Sequence, residues 1–458
     1  MTDSEKRHPL NKLLLSYKGR LFPTPTFLWF LAGLLVVGVA FGVYANTLKN
    51  GFVWDDHILI ADNPFVQDWN NVGEVLSWDY FFRTSPIKTE NASRPVWILS
   101  ALLDCKLWGL TPAGHHLTNV LLHALNSLLV FVLAAMFLMG KTDPESGGGR
   151  TRAPGFGPRP LAFSILAALL FAVHPIHTEP VAAVGFRADL LATLFFLAAF
   201  IFYKAFQSAL EKTFGNGGTH KSPLIAPPAL LKAWPWLALS VVAYGLGLLS
   251  KEMAVTLPFV LILHDFLLKT GAQWRPLLKK APAYAGYFLL WPLYAVFHFR
   301  RFDYYFGDMA VKWVERLTSL LTFALPVRAE SVVSPTPSMS ALWAGDPVTN
   351  LFTMSTVFVS YLKLLVWPAG LRAEHMVTPL TQPTAAVVLS LALLGGLAAF
   401  AVAVHKKSPA VSFLILAFFV ALLPVANLRP LYNVMAERYL YLPSVFFCLL
   451  AVYSVSMA

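Results

Sequence analysis

Long apolar runs alternate with short polar segments along this chain, from residue 27 to its end. Each run is close to the ~20 residues that an α-helix needs to cross the hydrocarbon core of a bilayer. The pattern predicts an all-α polytopic membrane protein, built as a bundle of about 10–11 transmembrane helices with two long outer loops. We expect ten spans, at 27–45, 117–139, 161–177, 187–206, 234–250, 254–268, 282–299, 385–404, 409–425 and 439–457.

One further apolar run, 350–367, contains Lys363 and is followed by a proline. If this run crossed the membrane, Lys406 and Lys407 would fall outside. With ten spans and a cytoplasmic N-terminus, the inner segments hold 19 Lys and Arg against 5 Asp and Glu, and the outer segments hold 16 against 18. Cytoplasmic loops normally carry the basic excess, so we expect 350–367 to be an interfacial or re-entrant helix.

This topology divides the chain into a cytoplasmic tail, 1–26, and a transmembrane domain, 27–458. The two long outer loops are 46–116 and 300–384. The chain stops within an apolar run, and we expect that a further C-terminal part is missing.

Composition agrees with a membrane protein, because 57% of the residues are hydrophobic and only 13% are charged. Soluble domains carry about 25% charged residues. The net charge of +11 would indicate nucleic acid in a soluble protein, but here its basic excess lies in the inner segments, and we expect no nucleic-acid partner. The only two cysteines, Cys105 and Cys448, exclude a disulfide framework.

The first outer loop opens on the acidic doublet Asp55-Asp56, within Gly51-Phe52-Val53-Trp54-Asp55-Asp56-His57. Adjacent carboxylates repel one another, which favours proton uptake by one of them. Such a doublet suits a general base with an orienting partner. A solvated loop start or a helix cap is the alternative.

Polar residues also gather near the outer end of the second span. Arg94 lies in the preceding loop, and His116, Asn119 and His123 share one face of the helix. Polar groups on a membrane helix are costly and usually face a cavity. They can also be contacts between helices, each satisfied by a neighbour, and the sequence leaves both interpretations open.

The outer hairpin between the third and fourth spans reads His174-Pro175-Ile176-His177-Thr178-Glu179. Two histidines and a glutamate could bind a divalent metal, hold a polar substrate through hydrogen bonds, or form a tight interfacial turn. Arg187 and Asp189 begin the next helix.

Two more charged pairs lie at outer span ends, Lys251-Glu252 and Glu437-Arg438. Each pair alone is typical of a salt bridge that anchors helices. Arginine also clamps phosphate through two parallel hydrogen bonds, and lysine supplies a point charge. Charged residues from five separate segments lie at one face of the membrane, and this predicts an assembled site. Glycine-rich phosphate loops are absent, so soluble nucleotide chemistry is not expected.

Five motifs, in this order, resemble one family, the transmembrane and tetratricopeptide-repeat O-mannosyltransferases and their bacterial relatives. These motifs are Gly51–His57, His174–Glu179, Gly185-Phe186-Arg187-Ala188-Asp189, Ser250-Lys251-Glu252 and Ala436–Ser444. The resemblance covers nearly the whole chain. It implies a GT-C class glycosyltransferase with eleven spans, and repeats on the outer side that this chain lacks.

The resemblance also implies a reaction. A polyprenyl- or dolichyl-phosphate sugar would be the donor, and a hydroxyl of a protein or another molecule the acceptor. Asp55 or Asp56 would take the acceptor proton, and Arg187, Lys251 and Arg438 would bind the donor phosphate. No cofactor is required, and a divalent metal is left open. The substrate-orienting residues would be Arg94, His116, Asn119, His174, His177, Glu179, Asp189, Glu252 and Glu437.

We therefore expect a hexosyltransferase that moves mannose or a similar sugar at the extracytoplasmic face. Its membrane would be the bacterial inner membrane, with the active site towards the periplasm. The competing functions are a lipid-sugar transporter or flippase, and a non-catalytic membrane scaffold. Transporters place charges near the midplane and often contain internal repeats, and no internal repeat is visible in this sequence.

Overall fold

The computed structural model describes residues 25–82, 91, 93–139, 158–214, 227–295, 297, 347–428, 431 and 433–457. Almost all of the predicted tail 1–26 lies outside the described residues, as do most of the 140–160 connector and 300–346 of the second outer loop.

The described chain is helical, and eight of its twelve main helices begin at proline, whose fixed φ and missing N–H suit the first helical position. The main helices are α1 Pro25–Tyr44, α2 Pro95–Trp108, α3 Pro112–Met139, α4 Pro158–Val173, α5 Arg187–Phe214, α6 Pro227–Leu248, α7 Leu257–His264, α8 281–295, α9 Pro347–Val366, α10 Ala385–Val404, α11 Pro409–Leu422 and α12 Pro443–Met457.

Short helical turns join these helices or follow them. Four short α-helical segments and three other turns lie outside the site: Pro64–Gln67, Val72–Val75, Trp78–Phe82, Trp274–Leu278, Ala45–Lys49, Trp69–Asn71 and the π-helical turn Asp265–Lys269. Those near the site are His57–Ala61, Pro175–His177, Thr178–Ala182, Val184–Phe186, Glu252–Thr256, Leu423–Val425 and Glu437–Leu440.

The predicted all-α polytopic fold is confirmed. Each of the ten predicted spans contains one of the main helices. Within the described residues, five helices are individually long and apolar enough to cross a membrane: Thr26–Lys49, Pro112–Phe137, Val184–Lys212, Pro347–Val366 and Ala385–Val404. A sixth span results if α4 and the segment to Ala182 count together across their 49° bend.

Burial shows which helices face lipid. Of the 18-residue apolar stretch of each helix, 72% is buried within the protein in α5, against 22% in α1 and 17% in α10. Helix α5 is therefore central, and α1 and α10 offer leucine-rich surfaces to the bilayer, including Leu34 and Leu393. Lipid solvates such surfaces, so their exposure costs nothing in the membrane.

The two ends of the bundle differ in their polar contacts. Helix α4 ends and α5 begins at what we call the site end, where the Lys251 ammonium contacts Asp189 near the start of α5. At the opposite end, buried Asp265 accepts hydrogen bonds from Tyr203, Gln207, His264, Lys280 and Tyr284. This cluster ties α5, α7 and α8 together.

Helix α9 contacts the site end through both of its halves. The Asn350 amide reaches the carbonyl of Ala426, which follows α11, and the Leu365 carbonyl accepts from His174, which follows α4. Between them, the Tyr361 hydroxyl accepts the Ala436 N–H. Because these partners share one end of the bundle, α9 lies along that end. Although α9 is long enough to cross a membrane, its contacts favour the interfacial placement that the charge count predicts.

Candidate functional site

The two acids of the Asp55-Asp56 doublet have different environments. Asp56 is buried, and its carboxylate accepts the N–H of Gly185 at 2.7 Å and the N–H of Val53 at 3.1 Å. These bonds fasten the first outer loop to the turn before α5. Asp55 is exposed, which leaves its carboxylate accessible to a substrate.

Trp54 precedes Asp55 in an uncommon backbone conformation. Its φ is +49°, in the left-handed region that bulky residues rarely adopt. The turn is held by the Asp56 N–H donating to Val53 and the His57 N–H donating to Trp54. The Trp54 side chain is 59% exposed, a costly position for an indole unless something covers it. Strain of this kind gathers at functional sites.

A cavity of about 430 Å³ opens beside this turn. Four segments line it: the loop that precedes Asp55, the helical turns before α5, the loop after α9, and the turn Glu437–Leu440 before α12. The lining residues that the structure describes are Asn50, Val53, Trp54, Thr178, Glu179, Ala182, Ala183, Phe186, Leu371, Arg372, Ala373 and Glu437. Its size is within the range of small-molecule sites, and Val53 and Trp54, the two residues before Asp55, belong to its lining.

An ion pair between Glu179 and Arg438 forms one side of the cavity. The Glu179 carboxylate accepts from the Arg438 guanidinium and, at 2.7 Å, from the Arg438 backbone N–H. The guanidinium carbon lies 4.1 Å from the centre of the Phe186 ring, a cation–π contact. Burial opposes the charge, but the Glu179 carboxylate outweighs it and raises the pKa of Arg438, which stays cationic.

Glu437 fastens the loop that follows α9 over the same cavity. Its carboxylate accepts the backbone N–H of Arg372 at 2.6 Å and the imidazole N–H of His375 at 3.0 Å. The Leu380 N–H donates to the Thr353 hydroxyl and pins the far end of the loop. We call 367–384 the strap. Glu437 therefore positions the strap as a wall of the cavity.

Two further charged pairs lie at the site end but do not line the cavity. The Lys251 ammonium contacts both carboxylate oxygens of Asp189 at 2.7 Å, and both side chains are 4% exposed. Burial lowers the pKa of Lys251, although Asp189 opposes this effect. Arg94 donates to both oxygens of Glu252 at 3.2 and 3.3 Å. The structure therefore brings these four predicted residues together in two ion pairs, which connect the ends of helices.

The phosphate-binding role predicted for Arg187 is not supported by its geometry. Its guanidinium is 1% exposed and donates to Asp104, Asn119, Ser100 and the His115 carbonyl. A fully engaged, buried guanidinium has no donor left for a ligand. Asn119 also donates to the Ala183 carbonyl, so this network fixes the turn that carries Gly185.

The histidines predicted to orient a substrate also face protein. His174 donates to Leu365 and accepts from the Ile176 N–H, while His177 is fully buried, 2.8 Å from the Ser444 hydroxyl. His116 lies 3.4 Å from the Gly51 carbonyl. Of the three interpretations of the His174–Glu179 hairpin, these contacts favour a structural turn. In the described part of the chain, no three His, Cys, Asp or Glu side chains converge as a metal site.

Sequence reasoning did not single out several residues of this end. Asp104 pairs with buried Arg187, and Arg372 and His375 sit on the strap. Asp104 lies on a helix whose pattern gives no sign of a partner 83 residues away. The strap follows the apolar run 350–367 in the second long outer loop, and the sequence singles out no residue of the strap as part of a site.

Comparison with known proteins finds relatives of this chain among the protein O-mannosyl-transferases. Human protein O-mannosyl-transferase TMTC3 is 27% identical over 437 residues, which cover 91% of this chain and 41% of that protein. Human TMTC1 is 30% identical over 448 residues, or 93% of this chain and 46% of the relative. Human TMTC4 is 34% identical over 240 residues, or 52% and 29%. This chain is a relative of the TMTC protein O-mannosyl-transferases.

The resemblance that the five motifs indicate is thereby confirmed. The chain spans less than half of the length of these TMTC relatives. No family model and no solved structure matches the chain.

Gly185 offers a test of the contact between the loop and the turn. A Cβ at this position would lie 2.9 Å from Leu59 Cδ1 and 3.2 Å from Asp56 Oδ1, closer than side chains tolerate. We expect Gly185→Ala to shift the doublet and lower sugar transfer ~10- to 100-fold, since small misplacements of catalytic groups cost this much. Gly73→Ala is the control, because nothing lies within 4 Å of its Cβ. Equal transfer rates in the two variants would contradict the expectation.

Proposed function

We propose that this protein is an integral membrane glycosyltransferase that moves mannose, or a similar sugar, from a polyprenyl-phosphate donor to a hydroxyl of a protein acceptor. The single observation that carries the proposal is that the exposed Asp55 directly follows Val53 and Trp54, which line a cavity large enough for a sugar. The relationship to the TMTC O-mannosyl-transferases supports the reaction class.

In the proposed step the acceptor hydroxyl oxygen attacks the anomeric carbon. A new carbon–oxygen bond forms, the bond from that carbon to the phosphate oxygen breaks, and its electron pair leaves with the lipid phosphate. The acceptor proton passes to the Asp55 carboxylate, a general base. Attack opposite the leaving group inverts the anomeric centre. Asp56 does not take the proton, because it is buried and holds two backbone N–H groups.

We also propose that the site end faces the extracytoplasmic side. Several lysines cluster at the opposite end, where Lys204, Lys269 and Lys280 contact His264, Glu211 and Asp265. Cytoplasmic ends of membrane proteins carry such basic excess. The TMTC relatives described above are human proteins, so placement in a bacterial inner membrane stays a prediction.

The test uses purified protein in lipid vesicles with polyprenyl-phosphate mannose labelled in the sugar. Transfer predicts that label moves from the lipid fraction to an added peptide rich in serine and threonine. A flippase would leave the label in lipid and move it across the bilayer. A scaffold would do neither, and either of these two outcomes would contradict the proposal.

A further inference from the structure

The cations predicted to bind the donor phosphate all have carboxylate partners in the structure. Arg187 pairs with Asp104, Lys251 with Asp189 and Arg438 with Glu179. Each of these three cations is at least nine-tenths buried, so a phosphate would have to break a formed ion pair to reach it. Breaking a buried pair leaves its carboxylate without compensation, which strongly opposes phosphate binding there.

Arg372 differs from these cations in position and in surroundings. It is the only basic side chain among the described residues that line the cavity, and it is exposed. In the described part of the chain, no carboxylate forms an ion pair with the Arg372 guanidinium. The nearby Glu437 carboxylate instead accepts the Arg372 backbone N–H. The backbone is thereby fixed at the cavity wall while the side chain stays available.

A negatively charged donor in this cavity needs a cation that is not already paired with a carboxylate. Of the two acids that line it, Glu179 is neutralised by Arg438, and Glu437 is satisfied by the strap. A lipid-phosphate sugar brings negative charge, which grows on the leaving phosphate as its bond to the sugar breaks. Arginine suits this task, since its planar guanidinium donates two parallel hydrogen bonds to phosphate oxygens.

We propose that Arg372, on the strap, binds the phosphate of the lipid-linked donor. This assignment rests on the proposed function, because it takes a lipid phosphate as the donor. It makes the strap a donor-binding element, held in place by Glu437. The sugar would then lie in the cavity that Arg372 and Trp54 both line.

The experiment compares two short probes with the same hydrocarbon chain, citronellyl phosphate and citronellol, which differ in the phosphate group. Calorimetric titration of the protein in nanodiscs gives the ratio of their affinities. We expect wild type to favour the phosphate ~10- to 100-fold, the value of about one hydrogen bond to a charged group. Arg372→Ala should bring the ratio near one, and Arg372→Lys should keep part of it.

Lys363→Ala is the matched control, because Lys363 is an exposed cation on α9 that does not line the cavity. It should keep the wild-type ratio. Thermal unfolding should be unchanged in Arg372→Ala, since the side chain is exposed. An unchanged ratio in Arg372→Ala, or a wild type that does not favour the phosphate, overturns the assignment. Weaker binding of an acceptor peptide with an unchanged ratio overturns it also, and assigns Arg372 to the acceptor.

The two proposals fail separately. If wild type transfers mannose and Arg372→Ala keeps its preference for phosphate, the assignment of Arg372 fails alone. If Arg372 governs phosphate binding and no label reaches a peptide, the transferase proposal fails and the assignment of Arg372 stands.

Discussion

Asp55→Asn is expected to lower sugar transfer by about 10²- to 10⁴-fold, the usual contribution of a general base. The amide has nearly the shape of the carboxylate but cannot take the acceptor proton. Since Asp55 is exposed, thermal stability and donor affinity should stay close to wild type. The loss should therefore appear in kcat rather than in KM for the donor.

Two carboxylates near Asp55 serve as comparisons for this variant. Asp62→Asn changes an exposed acid of the same loop and should leave transfer unaltered. Asp56→Asn should lower stability as well as transfer, because an amide oxygen replaces only one of the two acceptors that hold Gly185 and Val53. Wild-type turnover in Asp55→Asn would remove the assignment of the base.

Arg438→Ala is expected to have the second largest effect, through a different cause. The variant leaves the nearly buried Glu179 carboxylate with only one backbone N–H as donor. Removal of one partner of a buried ion pair costs ~3–5 kcal/mol. We expect a lower thermal unfolding midpoint and a loss of transfer in proportion to the unfolded or distorted fraction.

The double variant Glu179→Ala/Arg438→Ala separates support from phosphate binding. Removal of both charges should restore most of the thermal midpoint and part of the transfer, because no buried charge is left unpaired. If Arg438→Ala instead unfolds like wild type and raises KM for the donor, Arg438 contacts the phosphate, as the sequence predicted.

The helices and the end of the bundle at which the charges lie could be predicted from the sequence, because both follow from local patterns. Apolar runs of the right length identify the spans, and the charges at their ends identify the polar face. The interfacial position of α9, which the distribution of lysines predicts, stays a prediction, because α9 is also long and apolar enough to cross a membrane. Asp55, Glu179 and Arg438 all lie at the end where the charge pattern put them.

The division of roles within the site could not be predicted, because it depends on partners far apart in the chain. Asp55 and Asp56 look alike in sequence, and only the contact of Asp56 with Gly185, 129 residues away, distinguishes them. Glu179 and Arg438 are separated by 259 residues. Arg187 looked available for a ligand because its four partners come from two other helices, α2 and α3.

In the proposed function, Asp55 and the cavity beside it form the site of sugar transfer. Electron cryo-microscopy of the protein in nanodiscs, with a non-transferable phosphonate analogue of polyprenyl-phosphate mannose, tests it most directly. With an acceptor peptide also bound, we predict that the sugar lies in the cavity between Trp54 and Glu437, and that the Asp55 carboxylate is about 2.6–3.2 Å from the acceptor hydroxyl oxygen that faces the anomeric carbon. A sugar bound at the opposite end, near Asp265, or beyond the reach of Asp55, would contradict the account.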